Sequence, residues 1–259
     1  MRDSKPVMTE NKLDQQILVP RWPSPASVRA AVTTRFGGNS RPPYSGFNLA
    51  THVGDSVDTV QQNRNQLMTV LELPTEPVWL NQVHSDIVVN AADFANDRDA
   101  DASYSSTVDT VCAVMTADCL PVLFCNRAGT VVAAAHAGWR GLAAGILENT
   151  IAAMACDPGE ILVWLGPAIG PSAFEVGADV REAFVDQHSV AEQAFIAQGN
   201  DKWLTDIYML ARTHLKAAGV THFFGGDYCT YKDTQRFFSY RRDGTTGRMA
   251  SLIWLDSQD

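Results

Sequence analysis

Residues 117–141, "ADCLPVLFCNRAGTVVAAAHAGWRG", hold two apolar runs, "LPVLFC" and "TVVAAAH", joined by the turn Asn126-Arg127-Ala128-Gly129. Each run has the length and apolar content of a buried strand, and Gly129 marks the turn between them. Cys119 follows an earlier run that ends in Thr116, and His136 closes the second, with a glycine turn and Trp139-Arg140 behind it. Valine would fill either place in a purely structural sheet, so a thiol and an imidazole there ask for a chemical reason.

Working outward, the pattern alternates strands and helices. Val28 to Thr34 reads as a strand closed by Gly37-Gly38, which leaves Arg35 where a strand meets a glycine turn. "GDSVDTVQQNRNQLMTVLEL" carries Asp55 or Ser56 as an N-cap and apolar residues at Val57, Val60, Leu67, Val70 and Leu71, a helix ending before Pro74. "PVWLNQVHSDIVVNA" predicts two short strands bent around Asn81-Gln82, with His84 near the bend, and "ANDRDADASYSS" a polar loop. "TVCAVMT", "EILVWLG", "THFFGG" and "MASLIWL" are further strands. "GLAAGILENTIAAMA", "DVREAFVDQH" and "LTDIYMLARTHLKAAG" are helices, and the Gly- and Pro-rich "GPAIGPSAFEVG" is a shaped loop. Residues 1–20 are expected to be a loosely ordered arm, and 21–259 one α/β domain with mixed sheets and helices outside.

Composition removes several function classes. The 259 residues are 46% hydrophobic and 19% charged, with no apolar run long enough to span a membrane. The N-terminal stretch lacks the apolar core and cleavage site of a signal peptide, so a cytoplasmic location is expected. A net charge of -9 without a basic cluster argues against a nucleic-acid partner. Five cysteines without a CxxC pair fit neither a disulfide framework nor a zinc ribbon. HExxH, GxSxG, the P-loop, GxGxxG and the HxE with PCxxC of zinc deaminases are all missing. Oligomeric state is not readable.

Two chemical readings stand. Zinc takes thiolate and imidazole ligands, and a catalytic zinc keeps one position open; Cys119, His136 and His84, on separate segments, would supply three ligands if the sheet brings them together. Alternatively Cys119 and His136 form a nucleophile pair, which needs a free thiol. The residues alone do not choose. Cys112, Cys125 and Cys156 lie within apolar runs or on a helix and read as core. His188, His214 and His222 read as surface or core, and His52 in "NLATHVGD" is balanced between core and ligand. Arg35 and Arg140 are the candidate anion ligands, with Arg241 and Arg242 behind them.

"TTRFGGNS", "FNLATHVGD", "NQVHSD", "TADCLPVLF", "AAAHAGWRG", "GPAIGPSAFEVG" and "FSYRRDGTTGRMA" appear in the order and spacing of the YfiH/laccase-domain family, which this chain resembles over residues 20–255. The resemblance implies a four-layer α/β/β/α sandwich with mixed sheets, a fold shared with deamidating toxins that use a Cys-His pair. It implies zinc on His84, Cys119 and His136, and it admits copper. It implies phosphorolysis of adenosine, inosine and methylthioadenosine, and deamination of adenosine, with a small-molecule nucleoside and phosphate as partners. Asn81 and Gln82, in the NQVH motif, join Arg35 and Arg140 as expected substrate or anion ligands. Asp118 joins Cys119 and His136 as an expected catalytic group, alongside Asp227 as a further acid or base. Other branches are described as cell-wall precursor editing factors that remove serine, or as copper phenol oxidases. Six histidines with no HxH pair disfavour a four-copper oxidase.

Overall fold

A computed structural model of the chain describes residues 15–93 and 99–257. The described strands are β1 (Ile17–Leu18), β2 (Val28–Thr33), β3 (Val88–Asn90), β4 (Ala102–Ser105), β5 (Cys112–Thr116), β6 (Leu120–Asn126), β7 (Val132–Ala137), β8 (Ile161–Leu165), β9 (Glu175–Val176), β10 (Phe195–Gly199), β11 (Lys202–Thr205), β12 (His222–Gly225) and β13 (Met249–Leu255). The helices are α1 (Val57–Val70), α2 (Trp139–Ala144), α3 (Ile146–Ala153), α4 (Ala178–Val185), α5 (Ile207–Ala217) and α6 (Tyr240–Asp243). An antiparallel four-stranded sheet runs β1-β2-β13-β5, and a mixed six-stranded sheet runs β12-β8-β6-β7-β4-β3.

Side-chain alternation sets the layering, because successive strand residues face opposite ways. In β6, Leu120, Val122 and Phe124 belong to one apolar cluster with Leu142 of α2, Ile146 of α3, Phe184 of α4 and Leu210 of α5. Leu123 and Cys125 of the same strand cluster with Val32, Cys112, Val114 and Ile253 of the four-stranded sheet. The far side of that sheet, with Ala31, Ala113 and Leu252, closes on Leu67 of α1. The result is the expected four-layer α/β/β/α sandwich. Strands buried on both faces read as unbroken apolar runs, which is why β6 and β7 stand out in the sequence.

The site lies where the two sheets exchange chain. β5 belongs to the four-stranded sheet and ends at Thr116, while β6 opens in the six-stranded sheet at Leu120. Residues 117–119 cross between them. The β6–β7 register sets Leu120 opposite Ala137 and Pro121 opposite His136, so Cys119 and His136 lie at one end of the same pair.

Several expectations are corrected. Residues 1–14 of the arm lie outside the described residues, but its end is not loose: Ile17 and Leu18 pair with Thr33 and Val32. The segment around Val78–Asn81 makes only isolated bridges. Its strand is cut short because the Gln82 side-chain amide takes the Met115 carbonyl and N–H in place of a main-chain ladder. Part of the expected polar loop, Ala102–Ser105, is β4; its small residues fit a crowded place beside Ala133 to Ala135 of β7 rather than solvent. The helix expected over 141–155 is two, broken at Gly145 with φ 99°. The hairpin of β10 and β11 has no clear period-two signal, since most of β10 is exposed.

Phe124 is fully buried among the helices. Phe124→Ala should lower unfolding free energy by about 3–5 kcal/mol, measured by urea denaturation; a change under ~1 kcal/mol would place this side chain outside the core.

Candidate metal centre

The histidine of the NQVH motif arrives by a strained turn. His84 has φ 62°, a left-handed conformation uncommon for a side chain of this size. Asp101 stabilises it: its fully buried carboxylate accepts hydrogen bonds from the backbone N–H of Val83, His84 and Ser85, and from Ser85 Oγ. The same carboxylate meets His136 Nδ1 at 2.7 Å. That contact fixes the imidazole so that Nε2 is the nitrogen left for other work.

The ligand atoms of His84, Cys119 and His136 all lie within 4.8 Å of one another, and Cys119 Sγ is 3.9 Å from His84 Nε2. A tetrahedral ion with ligand bonds of about 2.0–2.3 Å needs such spacing. Room is kept by Gly138, where an added Cβ would fall 2.8 Å from His84 Cδ2 and 3.1 Å from Cys119 Sγ. The donor set therefore fits one metal ion, with a borderline-soft thiolate and two imidazoles. Burial alone pushes the Cys119 thiol up, but His136 and then His84 outweigh it and bring it to about 6. Burial alone pulls His136 down, while the Cys119 thiolate and Asp101 carry it to about 9. Without metal these opposed shifts favour a thiolate beside an imidazolium. Cys112 and Cys125, by contrast, are pushed up to about 12 by burial, as core thiols.

These groups open into a cavity of about 410 Å³ lined also by His52, Gln82, Met115, Thr116, Tyr240 and Arg248. A larger groove of about 740 Å³ lies between the arm and β13. It lacks such a cluster, and its Arg29 is paired with Asp256 at 3.0 Å, so the smaller cavity is the chemical one.

The expected anion ligands do not assemble there. Arg35 donates through Nε and Nη2 to the Ser45 carbonyl and through Nη1 to the Thr234 carbonyl, so its guanidinium ties loops together. Arg140 is exposed and stacks on Trp139 at 4.4 Å, outside the cavity lining. Arg241 donates to the Glu175 carbonyl, and Arg242 to the Thr230, Tyr231 and Phe237 carbonyls. Asn81 bonds Asp99, and Gln82, though at the wall, has both ends of its amide on Met115. Asp118 does not line the cavity, and its carboxylate accepts from Thr230 Oγ1, Ser239 Oγ and the Arg241 N–H.

Sequence reasoning misses Arg248 and Tyr240 of the cavity and leaves His52 balanced. Arg248 stands within the "FSYRRDGTTGRMA" motif without being singled out as a ligand. Its backbone N–H donates to Asn48 Oδ1 at 3.0 Å and its Nη1 to the Thr246 and Gly247 carbonyls; among the described residues no hydrogen bond engages its Nε or Nη2. The available signal is an arginine between a glycine turn and an apolar strand. His52 faces the same cavity; partial burial and then Arg248 and Arg64 hold its pKa below the ordinary value.

The remaining histidines are elsewhere. His188 and His214 stack edge-on at 5.1 Å, and His222 Nε2 contacts Arg127. Among the described residues only the His84, Cys119, His136 group is fit to hold a metal, which matches one ion rather than a four-copper array. No described helix is long and apolar enough to cross a membrane.

A double sandwich with an open His-Cys-His corner at the exchange between sheets defines a metal-site class rather than a triad or nucleotide-fold class. Known proteins point the same way. The family described as multi-copper polyphenol oxidoreductase laccase matches residues 29–256. The chain is 60% identical over 242 residues to purine nucleoside phosphorylase YfiH of Escherichia coli (strain K12), covering 93% of this chain and 99% of that protein. It is 55% identical over 239 residues to purine nucleoside phosphorylase PA4543 of Pseudomonas aeruginosa, covering 92% and 98%. The solved structure of NMB0706 from Neisseria meningitidis matches with TM-score 0.90 at 55% identity, covering 93% of this chain and 100% of that one. This chain belongs to the YfiH/laccase-domain family.

Two outcomes test the centre. Asp101→Asn should weaken metal affinity about 10–100-fold, as loss of an orienting partner does, read by competition with a chromogenic chelator; unchanged affinity would separate Asp101 from the metal. In metal-free protein, iodoacetamide should label Cys119 near its full rate at pH 7. Because its pKa is lowered, the thiolate persists above about 6, and labelling falls only as pH drops through that value. A rate that rises only above pH ~8, as for an ordinary thiol, would contradict the ion pair.

Proposed function

We propose that this chain is a zinc-dependent purine nucleoside phosphorylase acting on adenosine, inosine and methylthioadenosine, and that it also deaminates adenosine. The observation that carries the reading is Arg248, with Nε and Nη2 uncommitted, in one cavity with the metal corner. The cavity's size suits a nucleoside. The names of the similar proteins from Escherichia coli and Pseudomonas aeruginosa support the same reaction.

In phosphorolysis an oxygen of phosphate forms a bond to the ribose anomeric carbon as the bond from that carbon to the purine nitrogen breaks. The bonding pair leaves on the purine, which takes up a proton. This chain's part is mostly positioning. Arg248 would hold phosphate through its uncommitted Nε and Nη2, two donors in a fixed fork. Asn48 fixes the Arg248 backbone at the cavity wall. His52, whose pKa is held below the ordinary value by burial and then by Arg248 and Arg64, offers the substrate a hydrogen bond. His84, Cys119 and His136 would hold the zinc ion, which when bound would supply the Lewis acidity that deamination needs.

A second reading has its own observation. Cys119, His136 and Asp101 are arranged as thiol, base and orienting carboxylate, the order of a nucleophilic hydrolase that would cut serine from a cell-wall precursor. A metal-held thiolate is a poor nucleophile, so zinc favours the first reading.

With adenosine or inosine and phosphate, the purine base and ribose 1-phosphate should form, and chelation should remove adenosine deamination. Arg248→Ala should raise the phosphate KM by tenfold or more, about 1.4 kcal/mol of charge-assisted bonding, while Arg35→Ala should change folding rather than phosphate KM. Release of serine from a UDP-muramyl precursor with no nucleoside turnover would reverse the order of the two readings.

A further inference from the structure

α6, Tyr240–Asp243, is four residues long, far too short to persist unaided in water. Its place is set by Asp118, whose buried carboxylate takes hydrogen bonds from Ser239 Oγ at 3.0 Å and the Arg241 N–H at 2.7 Å. Asp118 is the chain neighbour of Cys119 and holds φ 95°, an unfavourable conformation kept by its surroundings. Arg242 braces the other side through the Thr230 and Phe237 carbonyls. One carboxylate thus registers residue 240 against the metal corner.

The residue so placed is a large aromatic left open. Tyr240 is 61% exposed and lines the cavity beside His52, His136 and Arg248. Single exposed aromatics are ordinary on protein surfaces. This one stands in a segment whose backbone is held on both flanks by side-chain hydrogen bonds, so its main chain needs no further ordering to present the ring. Arg248 lies 5.9 Å from its centroid, at the long end of cation–π range.

We propose that Tyr240 is the stacking platform for the purine base, an assignment that rests on the phosphorylase reading. A planar heteroaromatic laid on the Tyr240 ring brings its sugar to the part of the cavity that Arg248 lines, where phosphate must approach. Asp118 then acts as a positioning residue: it holds the platform, and takes no proton from substrate. Stacking asks for the ring and not for the phenol oxygen, so phenylalanine should serve and an aliphatic side chain should not.

The test uses the full-length zinc-loaded protein with Tyr240→Phe and Tyr240→Leu. Inosine binding without phosphate is read by calorimetry, phosphate KM by turnover, and zinc content and thermal unfolding confirm integrity. Tyr240→Leu should lose about 10–100-fold of inosine affinity, the size of one base–aromatic stack, with zinc content and phosphate KM unchanged; Tyr240→Phe should retain most of the affinity. Inosine affinity unchanged in an active Tyr240→Leu protein overturns the platform and leaves the phosphorylase reading standing. A defect confined to phosphate KM also overturns it, making Tyr240 a support for Arg248. Wild-type protein that neither binds inosine nor cleaves any nucleoside brings down the phosphorylase reading, and the platform with it.

Discussion

The site depends on one buried charge. Asp101 has no exposure to water, and an isolated carboxylate there would be prohibitively costly. That cost is offset by five donors from two directions: the N–H groups of Val83, His84 and Ser85, the Ser85 hydroxyl, and the His136 ring. Three successive amides wrapping one anion make a nest that stabilises the left-handed turn at His84. The main chain adds to the tie, since the His136 N–H donates to the Asp101 carbonyl at 2.7 Å. Remove the carboxylate and both histidines lose their aim at once, although neither loses its place in the sequence.

A second carboxylate has a comparable role on the opposite side of Cys119. Asp118 ties the crossing segment to Thr230, Ser239 and the start of α6. Cys119 is therefore bracketed by two acids with opposite assignments, one serving the metal corner and one serving the cavity wall. The arginines divide in the same way. Arg35, Arg241 and Arg242 commit donors to backbone carbonyls and close loops, a role that lysine's compact ammonium cannot fill with the same geometry. Arg248 keeps part of its fork for the cavity.

How much of this is legible in the sequence follows from what periodicity can carry. β6, β7, β8 and β13 are continuous apolar runs because both faces are covered, and their boundaries can be read to within a residue or so. β4 is hidden because Ala102, Ser103 and Ser105 are small where β7 presses against them, so composition resembles a loop. The first NQVH strand is over-read from sequence, since a side-chain amide on Gln82 can imitate a strand partner and no pattern reveals that. The His84, Cys119 and His136 group is legible because a thiol and imidazoles at run ends have few structural uses. Its hub is not: Asp101 stands in a polar stretch among several acids, and only burial distinguishes it. The arginines mislead for a related reason. A glycine turn beside Arg35 looks like an open anion loop, and whether the guanidinium is already saturated is a fact of three dimensions.

The two chemistries that the corner offers are linked by a single equilibrium. The His136 imidazolium that stabilises the Cys119 thiolate in metal-free protein must give up its proton to become a ligand, so metal and proton compete for the same nitrogen. The lowered thiol pKa favours metal capture, because the sulfur is already ionised at neutral pH. The raised histidine pKa opposes it, because that proton has to leave. Asp101 acts on both sides of the balance: it helps to raise that pKa, yet its carboxylate at Nδ1 remains a partner after Nε2 is deprotonated and fixes the tautomer a metal needs. Nucleophilic chemistry at the Cys119 sulfur and metal ligation by it therefore exclude one another at any one moment. The three ligating side chains share their cavity with Arg248 and His52. Among the described residues only one three-ligand group is present, which suits one ion and not a multi-copper array.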